Sequence, residues 1–223
     1  MKNDVEPLSG QDSLLIIQQM IDTAKREQKD DGMGWIIWGW LLFISSIGTV
    51  INLQYQWLST FFFWNAFGFI VILLAIYETF KNFVLKQKVK VRTYTKDIFK
   101  KLNIGFFVCL MFIIISMNIG ISPSKGFPLL MNLYGFWILI YGALLNFKPS
   151  MVGAFAMWAL AFVALFIPRI ITGTHDEGVT HFSWVMILHG AGVLFGYIIP
   201  GHIANMEFKK VAARNSRKEH TGV

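Results

Sequence analysis

Charge is scarce in this chain of 223 residues: 15% are Asp, Glu, Lys or Arg, where a globular domain carries about 25%. Cysteine is scarcer still. Cys109 stands alone, so no disulfide can close within the chain and no oxidising compartment is implied. Catalytic signatures are missing as well. There is no Gly-x-Ser-x-Gly, no phosphate-binding glycine loop ahead of Lys-Ser or Lys-Thr, no His-Glu-x-x-His and no carboxylate pair inside an apolar stretch. The common hydrolase, nucleotide-binding and metalloprotease readings fall away with them, and a non-enzymatic role is expected. Residues 1–30 lack the basic start, apolar core and small-residue cleavage site of a secretory signal, so they are expected to remain as a cytoplasmic element.

What is abundant is apolar surface: 55% of residues are hydrophobic. They gather into six long runs, Met33–Leu53, Trp57–Phe80, Ile104–Ser122, Leu129–Phe147, Met151–Ile171 and Trp184–Met206. Crossing the hydrocarbon core takes roughly 20 apolar residues in helical form, because irregular backbone facing lipid would leave polar groups unpaired. A soluble protein with buried helices is the competing reading. It is set aside because such helices are rarely this long, this consecutive and this poor in charge. The expected fold is therefore all-α: a polytopic membrane protein with six transmembrane helices over 33–206, preceded by a cytoplasmic segment 1–32 and followed by a basic tail 207–223.

Orientation follows from the cations, since short loops rich in Lys and Arg stay cytoplasmic. The segment 81–103 carries Lys81, Lys86, Lys88, Lys90, Arg92, Lys96, Lys100 and Lys101 against Asp97, and the tail adds Lys209, Lys210, Arg214, Arg217 and Lys218. With six crossings these share one side, so both termini are expected in the cytoplasm. Trp57 and Trp184 are placed to anchor helices at the outer interface, and Trp35, Trp38 and Trp40 at the inner one.

Two cytoplasmic elements suit a partner. Asp12 or Ser13 can cap a helix running to about Lys29, on which Leu14, Ile17 and Ile21 form one apolar stripe. Its nearly balanced charge favours docking on protein over purely electrostatic lipid binding. Lys86, Lys88, Lys90 and Arg92 are interleaved with apolar residues and read as part of an amphipathic surface helix contacting lipid or a protein partner. Nucleic acid is the least favoured partner, because topology alone accounts for the charge.

The stretch Asp12-Ser13-Leu14-Leu15-Ile16-Ile17-Gln18-Gln19-Met20-Ile21, with Asp31-Gly32, Trp38-Gly39-Trp40-Leu41, His189-Gly190 and Ile198-Ile199-Pro200-Gly201-His202, resembles uncharacterised multi-pass proteins of Bacteroidetes-type bacteria. The resemblance touches both ends of the chain. It implies a bacterial inner (cytoplasmic) membrane and carries no activity.

Ionisable and amide groups inside the bilayer are costly and frequently functional. His189 and Asn65 lie well within the sixth and second runs, and His202 near the end of the sixth. At 1.5 Å per residue the two histidines are roughly 20 Å apart along a helix, too far to share a metal or haem. No cofactor is expected. Gly192 and Gly196 form a Gly-x-x-x-Gly face for close helix packing, within the chain or in a homodimer. Pro200 and Gly201 are expected to kink or end the helix. In the loop after the fifth run His175 and His181 stand with Asp176 and Glu177 as plausible zinc ligands, but their spacing matches no established motif, and a solvated loop is the expected reading. The favoured function is an accessory or regulatory subunit that binds a partner through its cytoplasmic elements. The alternative is a small-solute or ion transporter with a polar site around His189 and Asn65.

Overall fold

A computed structural model describes residues 31–84, 94–171 and 178–221. Over these residues the chain is all-helical, with no strand: α1 (Met33–Tyr55), α2 (Phe62–Val84), α3 (Tyr94–Ile119), α4 (Pro123–Leu144), α5 (Lys148–Ile171), α6 (Val179–Val193), a π-helical turn (Leu194–Ile198) and α7 (Ile199–Thr221). Among the described residues five stretches are long and apolar enough to cross a membrane: Met33–Tyr55, Ile98–Ile119, Pro123–Leu144, Lys148–Phe166 and Val179–Ala213. The apolar stretch Phe62–Tyr77 of α2 is shorter. Such helices are those of a multi-pass membrane protein. The amphipathic N-terminal segment with Leu14, Ile17 and Ile21, and the central basic residues Lys86, Lys88, Lys90 and Arg92, lie outside the described residues.

Helix boundaries depart from the apolar runs where polar residues still keep a helical period. α3 begins at Tyr94 rather than Ile104, since Ile98, Phe99 and Leu102 continue one apolar face below the run. α4 begins at Pro123 rather than Leu129. A proline in the first turn gives up no intrahelical bond, so the expected outer loop becomes the opening of the helix. α2 begins at Phe62 rather than Trp57 for a different reason. The α1 helix stops at Gln56, which takes φ 53°, and Asn52 then clamps the connection. Its amide donates to the carbonyls of Leu58 (3.1 Å) and Ser59 (3.0 Å), and its Oδ1 accepts from the Leu58 N–H (2.9 Å).

The sixth run neither ends nor breaks at Pro200-Gly201. In an α-helix Pro200 would be asked to donate to the Gly196 carbonyl, and in a π turn to that of Phe195; having no N–H it does neither. The irregularity is absorbed just upstream, where the Ile199 N–H reaches back to the Leu194 carbonyl, and helix then continues through the basic tail to Thr221.

The core is built from α1, α4, α5 and the α6–π–α7 rod. α4 and α5 make the most extensive contact, and α6 packs on α1, α5 and α4. Met131, Ile138, Met157, Val185, Met186 and Val193 are fully buried there. By contrast, among the described residues the α2 backbone approaches α1 alone, the α3 backbone approaches α4 alone, and the two do not approach each other. None of the residues of Ile98–Ile119 is buried.

Glycine lets the rod approach its neighbours. A Cβ on Gly153 of α5 would stand 2.5 Å from the Phe195 carbonyl oxygen and 3.0 Å from the Gly196 Cα, atoms of backbone that cannot rotate away. Gly153→Ala is therefore expected to lose about 1–3 kcal/mol by overpacking. Gly68→Ala in α2, where nothing lies within 4 Å, is expected to gain up to about 1 kcal/mol of helix propensity. Paired unfolding measurements in detergent check both, and equal stabilities would refute this account of the packing. Asn52→Ala is expected to cost about 1–3 kcal/mol by leaving the Leu58 N–H unpaired, seen in the same assay.

Candidate functional site

The one histidine at mid-depth in the core is His189 of α6, with 0% of its surface exposed. Its position follows from packing: Gly190 beside it lies against Ser46 and Ile47 of α1, so the two helices come close. His189 Nδ1 is 2.7 Å from Ser46 Oγ, and Ser46 Oγ is also 2.8 Å from the Leu42 carbonyl. A serine has one proton to give. Donated to Leu42, it leaves Oγ accepting from His189 Nδ1–H, with a lone pair on Nε2. Donated to Nδ1, it leaves the proton on Nε2. In both tautomers Nε2 is buried and meets no hydrogen-bonding atom among the described residues.

Three rings enclose the imidazole edge-on. Trp64 of α2 lies at 5.4 Å between centroids and 80°, Phe127 of α4 at 5.7 Å and 84°, and Tyr134 of α4 at 6.0 Å and 68°. Trp64 Nε1 is likewise buried without a hydrogen-bond partner among the described residues. Both nitrogens thus belong to a place walled by carbon, where an unmade hydrogen bond is expensive.

From Tyr134 the aromatic contacts run on to the end of the bundle that carries Gly32 and Gly201. Tyr134 meets Tyr197 of the π turn at 6.3 Å, Tyr197 meets Trp35 at 5.0 Å, and Trp35 meets Tyr141 at 4.4 Å. Phe99 touches Tyr141 and Trp137, and Phe106 touches Trp137 and Tyr134, which closes a ring of contacts and ties α3 to the core. Trp35 therefore packs inward, although the sequence placed it as an interfacial anchor. Trp38 packs on Phe67, while Trp40, Trp57 and Trp184 remain exposed as an anchor would.

The remaining expectations separate. Asn65 is exposed on α2 and does not join His189; the adjacent Trp64 faces the histidine instead. His202 is exposed on α7. Gly192 lies against Met157 and Met131, and Gly196 against Ile138 and Met157. That face is occupied inside the bundle. His181 is buried at the start of α6, while His175 lies outside the described residues. No group of three metal-ligating side chains occurs among the described residues.

Sequence reasoning missed Ser46, Trp64, Phe127 and Tyr134. One signal was available. Ser45, Ser46, Thr49 and Asn52 recur at helical spacing on a single face of α1, and all four are buried. No family model matches this chain, and comparisons with curated proteins and with solved structures gave no match.

The Ser46–His189 bond predicts a coupled loss. Ser46→Ala leaves Nδ1 buried and unpaired and is expected to cost about 1–3 kcal/mol. His189→Leu removes the same bond from the other side. Because removing both partners costs less than orphaning one, the double variant is expected to lose less than the sum of the two. A thermodynamic cycle in detergent checks this, and strict additivity would show that the bond contributes nothing.

Proposed function

We propose that this protein is a non-enzymatic accessory or regulatory subunit of a bacterial inner membrane, crossing it six times with both termini in the cytoplasm and binding a protein partner through its cytoplasmic elements. The observation that carries this reading is the arrangement of α2 and α3. Among the described residues the α2 backbone lies near α1 and the α3 backbone near α4, without approaching each other, and α2 reaches the core through Trp64, which meets Phe127 and His189. The segment that joins them holds Lys86, Lys88, Lys90 and Arg92, so a partner gripping this connection pulls on both helices.

The charge distribution supports the orientation, since the cation-rich connection and the basic tail share one side. The N-terminal stripe of Leu14, Ile17 and Ile21 supplies a second docking element on that side. A transporter built on His189 and Asn65 draws no support from their positions, because one is enclosed and the other faces outward.

Affinity purification from the native membrane in mild detergent, followed by mass spectrometry, tests the reading. The full chain is expected to bring down a stoichiometric protein. A chain lacking residues 1–30, and one with Lys86, Lys88, Lys90 and Arg92 changed to Gln, are expected to lose it. Recovery of the full chain with no stoichiometric companion would end the accessory reading.

A further inference from the structure

At the end of α1 away from Gly32, the chain forms a recess of about 240 Å³ in which Asn52, Gln56, Ser59 and Thr60 share the lining with Leu53 and Val179. We infer that this recess binds a neutral polyhydroxyl ring, a sugar taken either from water or from the headgroup of a glycolipid. Size sets the scale. One water fills about 30 Å³ of liquid, and drug-sized ligands occupy pockets of about 300–1,000 Å³, so the recess is too large for a single water and suits one ring.

The lining decides the chemistry. Asn52 is 4% exposed. It spends both amide protons on the Leu58 and Ser59 carbonyls and one lone pair of Oδ1 on the Leu58 N–H, which leaves one fixed acceptor. The exposed Gln56 adds two amide protons and a carbonyl oxygen, and the exposed Ser59 and Thr60 each add a hydroxyl that gives and accepts. Donors and acceptors are thus mixed around the recess, and a sugar hydroxyl needs both. Among the described residues none that lines it is charged, so an ammonium or a carboxylate would give up water with no opposite charge in return. An apolar ligand would cover the amides and hydroxyls without pairing them.

The backbone at Gln56 points the same way. It holds φ 53° and ψ 34° at the end of α1, a left-handed position that glycine usually fills. A glutamine kept there carries strain that glycine would avoid, and such strain collects at ligand sites. On either side of it Tyr55 and Trp57 stack on each other, with centroids 4.9 Å apart and planes 24° from parallel. They are 59% and 75% exposed. The stack covers one face of the indole and leaves the other open, next in sequence to Gln56 and Leu58, which both line the recess. The partly positive C–H groups of a sugar ring are attracted to such a negative π face. Membrane anchoring alone accounts for an exposed tryptophan. It does not account for a strained glutamine beside it in the wall of a polar recess.

Saturation-transfer NMR on the full chain in phosphatidylcholine nanodiscs, with methyl glucoside, galactoside and mannoside as probes, tests capture from water. Native mass spectrometry of nanodiscs that also contain monoglucosyl diacylglycerol tests capture of a headgroup. Saturable transfer to a free glycoside, and none to glucuronate with its carboxylate, is the expected result if the sugar comes from water. Retention of the glycolipid over phosphatidylcholine with no signal from free sugar assigns the site to a headgroup. Gln56→Gly relieves the strained turn while removing the amide. It is expected to unfold no earlier than the parent and to bind about three- to tenfold more weakly, the loss of one neutral hydrogen bond. Trp57→Ala is expected to weaken binding and Trp57→Phe to preserve it. No binding in either arm, equal binding of glucuronate, or undiminished binding by Gln56→Gly or Trp57→Ala would each overturn the site. The comparison of probes is made on the unmodified chain, so it stands even if a variant misfolds. It is independent of the cytoplasmic partner, because no residue before Gly32 or in the basic connection takes part.

Discussion

Close approach of helix backbones to the α6–π–α7 rod is the constraint on which the rest of the structure depends. Inside a bilayer, lipid tails compete for apolar side chains as well as neighbouring helices do. Association then rests on van der Waals contact and a few hydrogen bonds. Such contact requires side chains to be absent where backbones meet. Gly153 of α5 is against the Phe195 carbonyl, and Gly39 of α1 is against Ile198 and Tyr197. At the end of α1, Gly32 holds φ +71° and a Cβ there would meet the Gly201 carbonyl; the same end is pinned by the Asn205 amide donating to the Asp31 carbonyl at 2.8 Å. Remove these small residues and the rod is pushed out of the seat that buries His189.

The π turn belongs to the same constraint. One residue beyond the α-helical count advances a helix by about 100°, so it resets which face looks inward. Upstream, Val185, Met186, His189 and Gly192 are buried; within the turn Gly196, Tyr197 and Ile198 are buried, and beyond it Pro200 and Gly201. Pro200 explains why the adjustment sits where it does, since the hydrogen bond it cannot donate is already forfeited and widening the turn just before it sacrifices little more. The exposed Phe195 marks the lipid side of the same turn.

The transmembrane character was legible in the sequence because it depends on length and composition, both local. The small residues were legible too, as Gly192 and Gly196, but not their partner, because spacing on one helix does not say which helix arrives. The packing gave them to Met157, Met131 and Ile138 within the chain. Pro200 was read correctly as an irregularity and wrongly as an end, because a proline preceded by a π turn does not stop a helix. Asn65 drew attention as the amide deep in its run, yet the neighbouring Trp64 faces the core. A helix advances about 100° per residue, so a two-residue ambiguity in phase exchanges the lipid-facing and inward sides. Ser46 was hidden for another reason: a serine inside a membrane helix usually returns its proton to its own backbone, as Ser45 and Thr49 do here at 2.8 and 2.7 Å.

What distinguishes Ser46 from Ser45 and Thr49 is that it serves its own backbone and a second helix at once. That makes the Ser46–His189 bond a polar joint between α1 and α6, while the rings around it come from α2 and α4. Of these, Phe127 and Tyr134 are buried in the core, whereas the half-buried Trp64 comes from α2, whose backbone lies against α1. The histidine therefore sits where α1, α2, α4 and α6 meet. Displacing α2 removes one wall from His189 without disturbing the bond to Ser46, because that bond runs through α1 and α6 alone. Whatever holds Trp64 against the imidazole also holds α2 against the core.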